Sequence, residues 1–203
     1  MHAHPFAAMF AAVIMATASA ASAQTPNPAT VQGGTYAVEP VHTRVLFAVD
    51  HMGTSTWYGE FTHASGTLKL DPKNPAASQL EVSVPMASVS TTNATLDGEL
   101  KGPDWFDAAK FPTMTFKSTK VTVTGPGRAS VAGDLTLHGV TKPVVLNARF
   151  HGAGPNPMTK AYTVGFDATG KIKRSDFGVT KYVPLVGDQV ELILSAPFVR
   201  KGD

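Results

Sequence analysis

The feature that most constrains this chain is the alternation of apolar residues with other residues along many short segments. Residues 44–50 carry apolar side chains at 45, 47 and 49, and residues 79–84 carry them at 80, 82 and 84. Successive side chains of a β-strand point to opposite faces, so this period predicts strands with one buried face. The same alternation recurs in the segments 121–123, 131–137, 144–150, 162–166 and 190–194.

Short breaks rich in glycine, proline or asparagine separate these segments, at 71–75, 125–127, 139–143 and 152–157. Such residues favour turns. Short strands at this spacing indicate a mainly β chain folded as an antiparallel barrel or sandwich. About eight strands fit between Tyr36 and Phe198, and a barrel of that size either holds one small ligand or is filled by its own side chains.

One segment, 87–111, departs from the alternation and predicts a short helical insertion between strands. Leu96 and Leu100 have the four-residue spacing of one helix face, and Pro103 suits a first helical turn because its missing N–H costs nothing there. These signals predict two short helices, over 93–100 and 103–109. Helices inserted at one end of a closed sheet are a plausible lid for a cavity.

The composition excludes several classes of site and partner. The chain has no cysteine, so disulfides, thiolate metal sites and cysteine nucleophiles are excluded. Its formal net charge of +2 is too weak to indicate nucleic acid or an anionic membrane surface as a partner. After residue 23 no apolar run approaches the roughly 20 residues of a membrane span, so stable membrane insertion is not predicted.

Residues 1–23 are expected to be a secretory signal peptide. They contain no Asp, Glu, Lys or Arg, include the apolar run 6–16, and end in the small residues Ala21, Ser22 and Ala23. We therefore expect cleavage before Gln24, a flexible segment over 24–34, and one secreted barrel domain over 35–203.

An ordered series of motifs resembles the YceI-like family over nearly the whole of residues 36–194. The most specific pieces are Leu100-Lys-Gly-Pro-Asp-Trp-Phe-Asp107, Gly133-Asp-Leu-Thr-Leu-His-Gly139 and Arg174-Ser-Asp-Phe-Gly178. The resemblance implies an eight-stranded, antiparallel, lipocalin-like barrel with a short helical insertion. It also implies secretion to the periplasm and an isoprenoid or similar long amphiphile held inside.

A cavity for such a ligand needs aromatic and aliphatic walls, and the chain supplies a set of candidates. For any one of them, simple core packing is the more common role. Taken together they form the predicted apolar wall: Phe47, Trp57, Phe61, Leu96, Leu100, Trp105, Phe106, Phe116, Phe166, Phe177 and Tyr182.

Three polar residues, His42, His51 and Arg174, are predicted at the cavity mouth. Arg174 is the best candidate because its guanidinium can grip a phosphate or a carbonyl in a planar fork. The alternative is an ion pair between Arg174 and Asp176 that closes a tight turn before Gly178. His51 alternates in phase with the apolar residues of its segment, which predicts an inward side chain.

The sequence offers little for metal binding or catalysis. His2 and His4 fall in the predicted leader, and the other five histidines show no paired spacing. The segment Gly53-Thr-Ser-Thr-Trp57 lacks the final glycine of a nucleophile elbow. We therefore predict no catalytic residue, no metal and no covalent cofactor.

The leading hypothesis is a periplasmic carrier that holds a polyisoprenoid lipid, an isoprenoid quinone or a prenyl phosphate, without covalent chemistry. A fatty acid or fatty amide in the same cavity stays open. So do a secreted lipid-modifying enzyme with His42 or His51 as general base, and a barrel filled by Phe47, Phe61 and Phe116. A homodimer and a membrane partner that uses quinones are also left open.

Overall fold

The computed structural model describes residues 27–202, which form ten β-strands and one α-helix joined by turns and short 3-10 segments. The helix, α1, spans Ala94–Lys101. The strands in chain order are β1 (Gly34–Val38), β2 (Arg44–His51), β3 (Ser55–Phe61), β4 (Ser65–Leu70), β5 (Gln79–Pro85), β6 (Thr113–Gly125), β7 (Arg128–Leu137), β8 (Val140–Pro155), β9 (Tyr162–Lys173) and β10 (Val186–Arg200).

Eight of these strands close into an antiparallel barrel, as predicted. Their order is β1, β4, β5, β6, β7, β8, β9 and β10, and the ring closes because β1 also pairs with β10, Tyr36 opposite Arg200 and Val38 opposite Phe198. All of the predicted alternating segments lie on strands. Closure makes β1 and β10 partners of each other, which protects these edges from pairing with another chain.

The remaining two strands, β2 and β3, extend one end of the barrel. Residues 186–195 of β10 pair with β2, whereas residues 198–200 pair with β1, so β1 and β2 follow each other along one edge of β10. The turn between them is held by the Thr43 hydroxyl, which donates to the carbonyl oxygen of Glu39 at 2.6 Å. β3 then pairs with β2 and extends the wall past the ring.

The connection from β5 to β6 returns to this extended wall. Glu60 on β3 and Ser90 exchange two backbone hydrogen bonds of 2.8 Å. Met86 donates its N–H to Pro112 at 2.9 Å, which brings the two ends of the connection together. The chain between them, including α1, therefore lies beside β3, at the end of the barrel that β2 and β3 extend.

The first predicted helix is confirmed as α1, and its start has a clear cause. The Asn93 side-chain oxygen accepts hydrogen bonds from the N–H groups of Thr95 and Leu96, which satisfies two of the donors that a helix start leaves free.

The second predicted helix, over 103–109, is wrong, because residues 102–111 form a series of turns. The N–H of Phe106 donates to Leu100 and that of Ala108 to Lys101, so the chain folds back over the end of α1. This path places Trp105, only 8% exposed, against the core, where a second regular helix would require different backbone bonds.

The core is one cluster, and some of its most buried side chains lie near the two ends of β9. Tyr36 and Val164 pack where β9 begins, and Phe177 and Val179 pack just after it ends. Val31 is also buried, in the part of the 24–34 segment that the structure describes. The predicted signal peptide, 1–23, lies outside the described residues.

Gly66 on β4 is a position where the barrel requires glycine. Its φ is +152°, and a Cβ there would overlap the backbone carbonyl oxygen of Glu81 on the paired strand β5. We expect Gly66→Ala to lower the free energy of unfolding by about 2 kcal/mol, because neither backbone can yield without breaking the pairing. Urea denaturation measures this.

Gly98→Ala is the matched control, because a Cβ at Gly98 within α1 meets nothing within 4 Å. It should raise stability by about 0.5–1 kcal/mol through the higher helix propensity of alanine. Equal effects of the two substitutions would contradict the steric account.

Candidate ligand-binding cavity

The barrel contains a cavity with two lobes, of about 380 Å³ and 260 Å³, both partly open to solvent. The larger one, here called the helix lobe, lies between β2, β3, α1 and the connection from β9 to β10. The smaller one, the strand lobe, lies among the strands of the ring. Four residues line both, Val45, Met114, Ile172 and Leu192, so the lobes adjoin. Each is close to or within the size range of small-molecule sites. The alternative of a filled barrel is not what the structure shows.

Aromatic side chains form much of the helix lobe. The Phe61 ring lies between two others, with its centroid 5.7 Å from Phe47 and 5.6 Å from Phe106. Such tilted pairs are favourable beyond the area that they bury. Trp105 meets the ring of Tyr182 edge-on at 6.1 Å. The lobe is therefore bounded by rings that hold one another in place.

Small side chains create the strand lobe. Ala129, Ala148 and Ala168 lie opposite one another on β7, β8 and β9, and all three line the lobe. A row of larger residues at these positions would fill the space that the alanines leave. The cavity thus depends on a register between three strands, not on aromatic residues alone.

The structure brings most of the predicted apolar wall to this cavity. Phe177 is the exception, since it is buried to 1% exposure and lines neither lobe. Phe116 and Phe166 line the strand lobe. The others line the helix lobe: Phe47, Trp57, Phe61, Leu96, Leu100, Trp105, Phe106 and Tyr182. Contact of these residues with a ligand stays a prediction.

The three polar residues predicted at the cavity mouth lie in different places. His51 lines the helix lobe, 5.8 Å from the Trp57 ring between centroids, and Arg174 lines it as well. His42 lines neither lobe. Its side chain is 79% exposed and its Nδ1 lies 2.8 Å from the Glu39 carboxylate, which also accepts the His42 N–H at 2.9 Å. These bonds hold His42 on the outer turn between β1 and β2, so its predicted place at the mouth is wrong.

Arg174 is a buried structural residue as well as a cavity residue. It is 6% exposed and donates to three carbonyl oxygens, those of Val179, Val186 and Gly187, at 2.8–2.9 Å. It therefore ties the connection after β9 to the start of β10. Burial lowers the pKa of Arg174, with Asp188 acting in the opposite direction.

The predicted ion pair between Arg174 and Asp176 is wrong. The carboxylate that influences Arg174 is Asp188, which accepts hydrogen bonds from the N–H and the hydroxyl of Ser175 at 2.9 and 2.8 Å. Burial acts to raise the pKa of Asp188, but these bonds and the charge of Arg174 outweigh it and lower the pKa. The acid lies on β10, so the chain spacing did not indicate the pair.

Two buried polar atoms beside the cavity lack a hydrogen-bond partner within residues 27–202. They are the indole Nε1 atoms of Trp57 and Trp105. Both side chains line the helix lobe.

Several cavity residues were missed by the sequence reasoning. Asn93, Thr95 and Glu99 line the helix lobe because one side of α1 faces it. The alternation on β10 marked Val190 and Leu192 as inward residues but not as a wall of the cavity. The alanine row gave no signal in the sequence, because it exists only once the strand register is known.

Residues 27–202 contain neither a cluster of metal ligands nor a membrane-spanning helix. No group of three or more His, Asp or Glu side chains there is placed to hold a metal ion. No helix in the same range is long and apolar enough to cross a bilayer.

A closed antiparallel barrel around an apolar cavity defines a barrel-type binding protein. A sequence model of the YceI-like domain matches residues 36–198, so this chain belongs to the YceI-like family. A UPF0312 protein of Ectopseudomonas mendocina is 42% identical over 160 residues, covering 79% of this chain and 83% of the relative.

Two solved structures share the fold. Burkholderia cenocepacia BcnA superposes with a TM-score of 0.72 at 26% identity, covering 79% of this chain and 98% of that one. A polyisoprenoid binding domain from Saccharophagus degradans, implicated in plant cell wall breakdown, gives a TM-score of 0.59 at 13% identity. It covers 84% of this chain and 100% of that domain, and at this low identity the likeness shows a shared fold alone.

Arg174→Met should lower the free energy of unfolding by about 3 kcal/mol, because several buried carbonyl oxygens lose their donor. Urea denaturation measures the loss. Lys171→Met is the control: its Nζ pairs with Glu191 at 2.9 Å on the exposed face, and such pairs contribute less than about 1 kcal/mol. Equal losses would contradict the structural role of Arg174.

The stability that Asp188 contributes should depend on pH. Its pKa is lowered in the folded protein, so its contribution is complete above the unfolded value of about 3.9 and is lost as pH falls through the folded value. Wild type should therefore be more stable than Asp188→Asn at neutral pH, and the difference should shrink below about pH 4. Thermal unfolding of both proteins across pH tests this, and a constant difference would contradict it.

Proposed function

We propose that this protein binds a long-chain isoprenoid lipid inside its barrel and carries it through the periplasm without changing it chemically. The observation that carries the proposal is the pair of apolar lobes, which adjoin at four shared lining residues. A single compact ligand would need only one of them. A chain that extends from one lobe into the other fits both.

Apolar burial is large enough to hold such a ligand. Each isoprene unit has five carbons, and burial contributes about 0.8 kcal/mol per methylene-sized group. Three units therefore give about 12 kcal/mol, which is comparable to the association cost of about 4–15 kcal/mol. Each further isoprene unit adds about 4 kcal/mol of apolar burial, so the proposal favours long chains.

Two further observations support the proposal. One solved neighbour with the same fold is described as a polyisoprenoid binding domain. The pattern of residues 1–23 is that of an export signal, which supports a periplasmic carrier.

The direct test is native mass spectrometry of the full chain after export in a bacterial host, followed by organic extraction. The expected result is a bound isoprenoid lipid recovered intact. A fatty acid or fatty amide in its place would overturn the isoprenoid assignment. A processed product that forms during incubation, and no longer forms in His51→Ala, would support the enzyme alternative. An empty barrel that takes up no added lipid would overturn the carrier altogether.

Filling the strand lobe should weaken binding. Ala148 faces this lobe from β8, in the middle of the alanine row, so Ala148→Phe places a ring where the lipid tail would lie. We expect at least about tenfold weaker binding of a polyisoprenoid, equivalent to about 1.4 kcal/mol. Quenching of the fluorescence of Trp57 and Trp105 in the helix lobe measures the affinity.

Val145→Phe is the matched control on the same strand. Val145 lies on the opposite face from Val144 and Leu146 and is 50% exposed, so a ring there stays outside the barrel. It should leave the affinity within about twofold. Equal affinities for the Ala148→Phe protein and the wild type would place the lipid elsewhere.

A further inference from the structure

The two tryptophans of this chain share an unusual state. Trp57 comes from β3 and Trp105 from the turns after α1, yet both line the helix lobe. Both Nε1 donors are buried and have no acceptor among residues 27–202. Leaving a buried donor unpaired destabilises the protein. An acceptor from a bound ligand would remove that cost.

The indoles are held by their neighbours. The guanidinium of Arg174 lies 5.4 Å from the centre of the Trp105 ring, and Tyr182 meets the same ring edge-on. His51 packs against Trp57. Trp105 is 8% exposed, so its ring has little freedom to turn its N–H toward solvent. The donors are thus preorganised before any ligand arrives.

The polar groups of the strand lobe differ, because they are already engaged in local turns. The Thr43 hydroxyl donates to Glu39, and Arg44 donates to the carbonyl oxygen of Val41 at 3.0 Å. The Ser78 hydroxyl oxygen accepts the N–H of Asp71 at 3.0 Å. The rest of the lobe is apolar. It suits a hydrocarbon tail, whereas the helix lobe has unpaired donors.

The charges of the helix lobe do not favour an anionic head group. Glu99, an exposed residue, lines the lobe, so its carboxylate adds negative charge on the solvent side of this lobe. Arg174 already gives three of its five N–H groups to backbone carbonyls. The two indoles are neutral donors, which match a neutral acceptor.

We infer that the ligand is an amphiphile with a neutral carbonyl head group, bound with its head at Trp57 and Trp105 and its tail in the strand lobe. This inference rests on the proposed function and narrows it. The carbonyl accepts an N–H from one or both indoles. A ketone, an ester, an amide or a quinone ring supplies that chemistry.

The test uses three probes with related twenty-carbon isoprenoid chains: geranylgeranyl acetate, geranylgeranyl diphosphate and the hydrocarbon phytane. Affinities are measured by displacement of a fluorescent polyene fatty acid from the full chain. Wild type should bind the acetate more tightly than phytane and more tightly than the diphosphate.

Trp57→Phe and Trp105→Phe remove the N–H and keep an aromatic ring. At least one should weaken acetate binding by about two- to tenfold, the range for a neutral hydrogen bond, and leave phytane within about twofold. Replacing the same tryptophan by benzothienylalanine keeps the bicyclic shape, so it should reproduce the selective loss without a change in volume. Phe106→Leu, the control for lost apolar contact, should weaken the acetate and phytane alike.

The outcomes separate this inference from the carrier proposal. In one outcome, phytane and the acetate bind with equal affinity, and neither tryptophan variant changes the ratio of the two affinities. That result would overturn the head-group assignment but not the proposal of a lipid carrier. Preference for the diphosphate would overturn the neutral head group. Failure of all three probes to bind would overturn the carrier proposal and this inference with it.

Discussion

Strand β10 is the element on which the rest of this structure depends. It pairs with β9 along one edge, and on the other edge first with β2 and then with β1. The pairing with β1 closes the ring, and the pairing with β2 carries the wall past it. Without the first the barrel would have open edges, and without the second the helix lobe would lose one side. Arg174 secures the start of this strand by bonding to Val186 and Gly187.

The cavity results from two kinds of side chain with opposite effects. Aromatic rings of β2, β3 and the turns after α1 hold one another around the helix lobe. Alanines in one row across β7, β8 and β9 leave the strand lobe open. A barrel interior is filled or hollow according to the volume of its inward residues. The function that we propose rests on that difference, and the unpaired indole donors add polarity to one end only.

Sequence reasoning succeeded where the information is local. Alternation located the strands, and the spacing of Leu96 and Leu100 located α1. It failed where distant parts of the chain compete. Residues 103–109 look helical, but the N–H groups of Phe106 and Ala108 bond back to the end of α1. Asp176 is close to Arg174 in the chain, yet Asp188 from the next strand is the acid that influences it. His42 follows a strand, yet Glu39 holds it outside.

The sequence by itself determined that this chain is mainly β and antiparallel, without disulfides, with a helical insertion and an aromatic set suited to an apolar ligand. These follow from side-chain period, turn residues and composition, which act over a few neighbouring positions. The choice of a barrel over a sandwich was implied only by the family resemblance. Only the tertiary structure decided that the barrel is hollow, that it has two lobes, and that Trp57 and Trp105 share one of them. Each of these depends on strand register and on contacts between residues far apart in the chain, which no local pattern encodes.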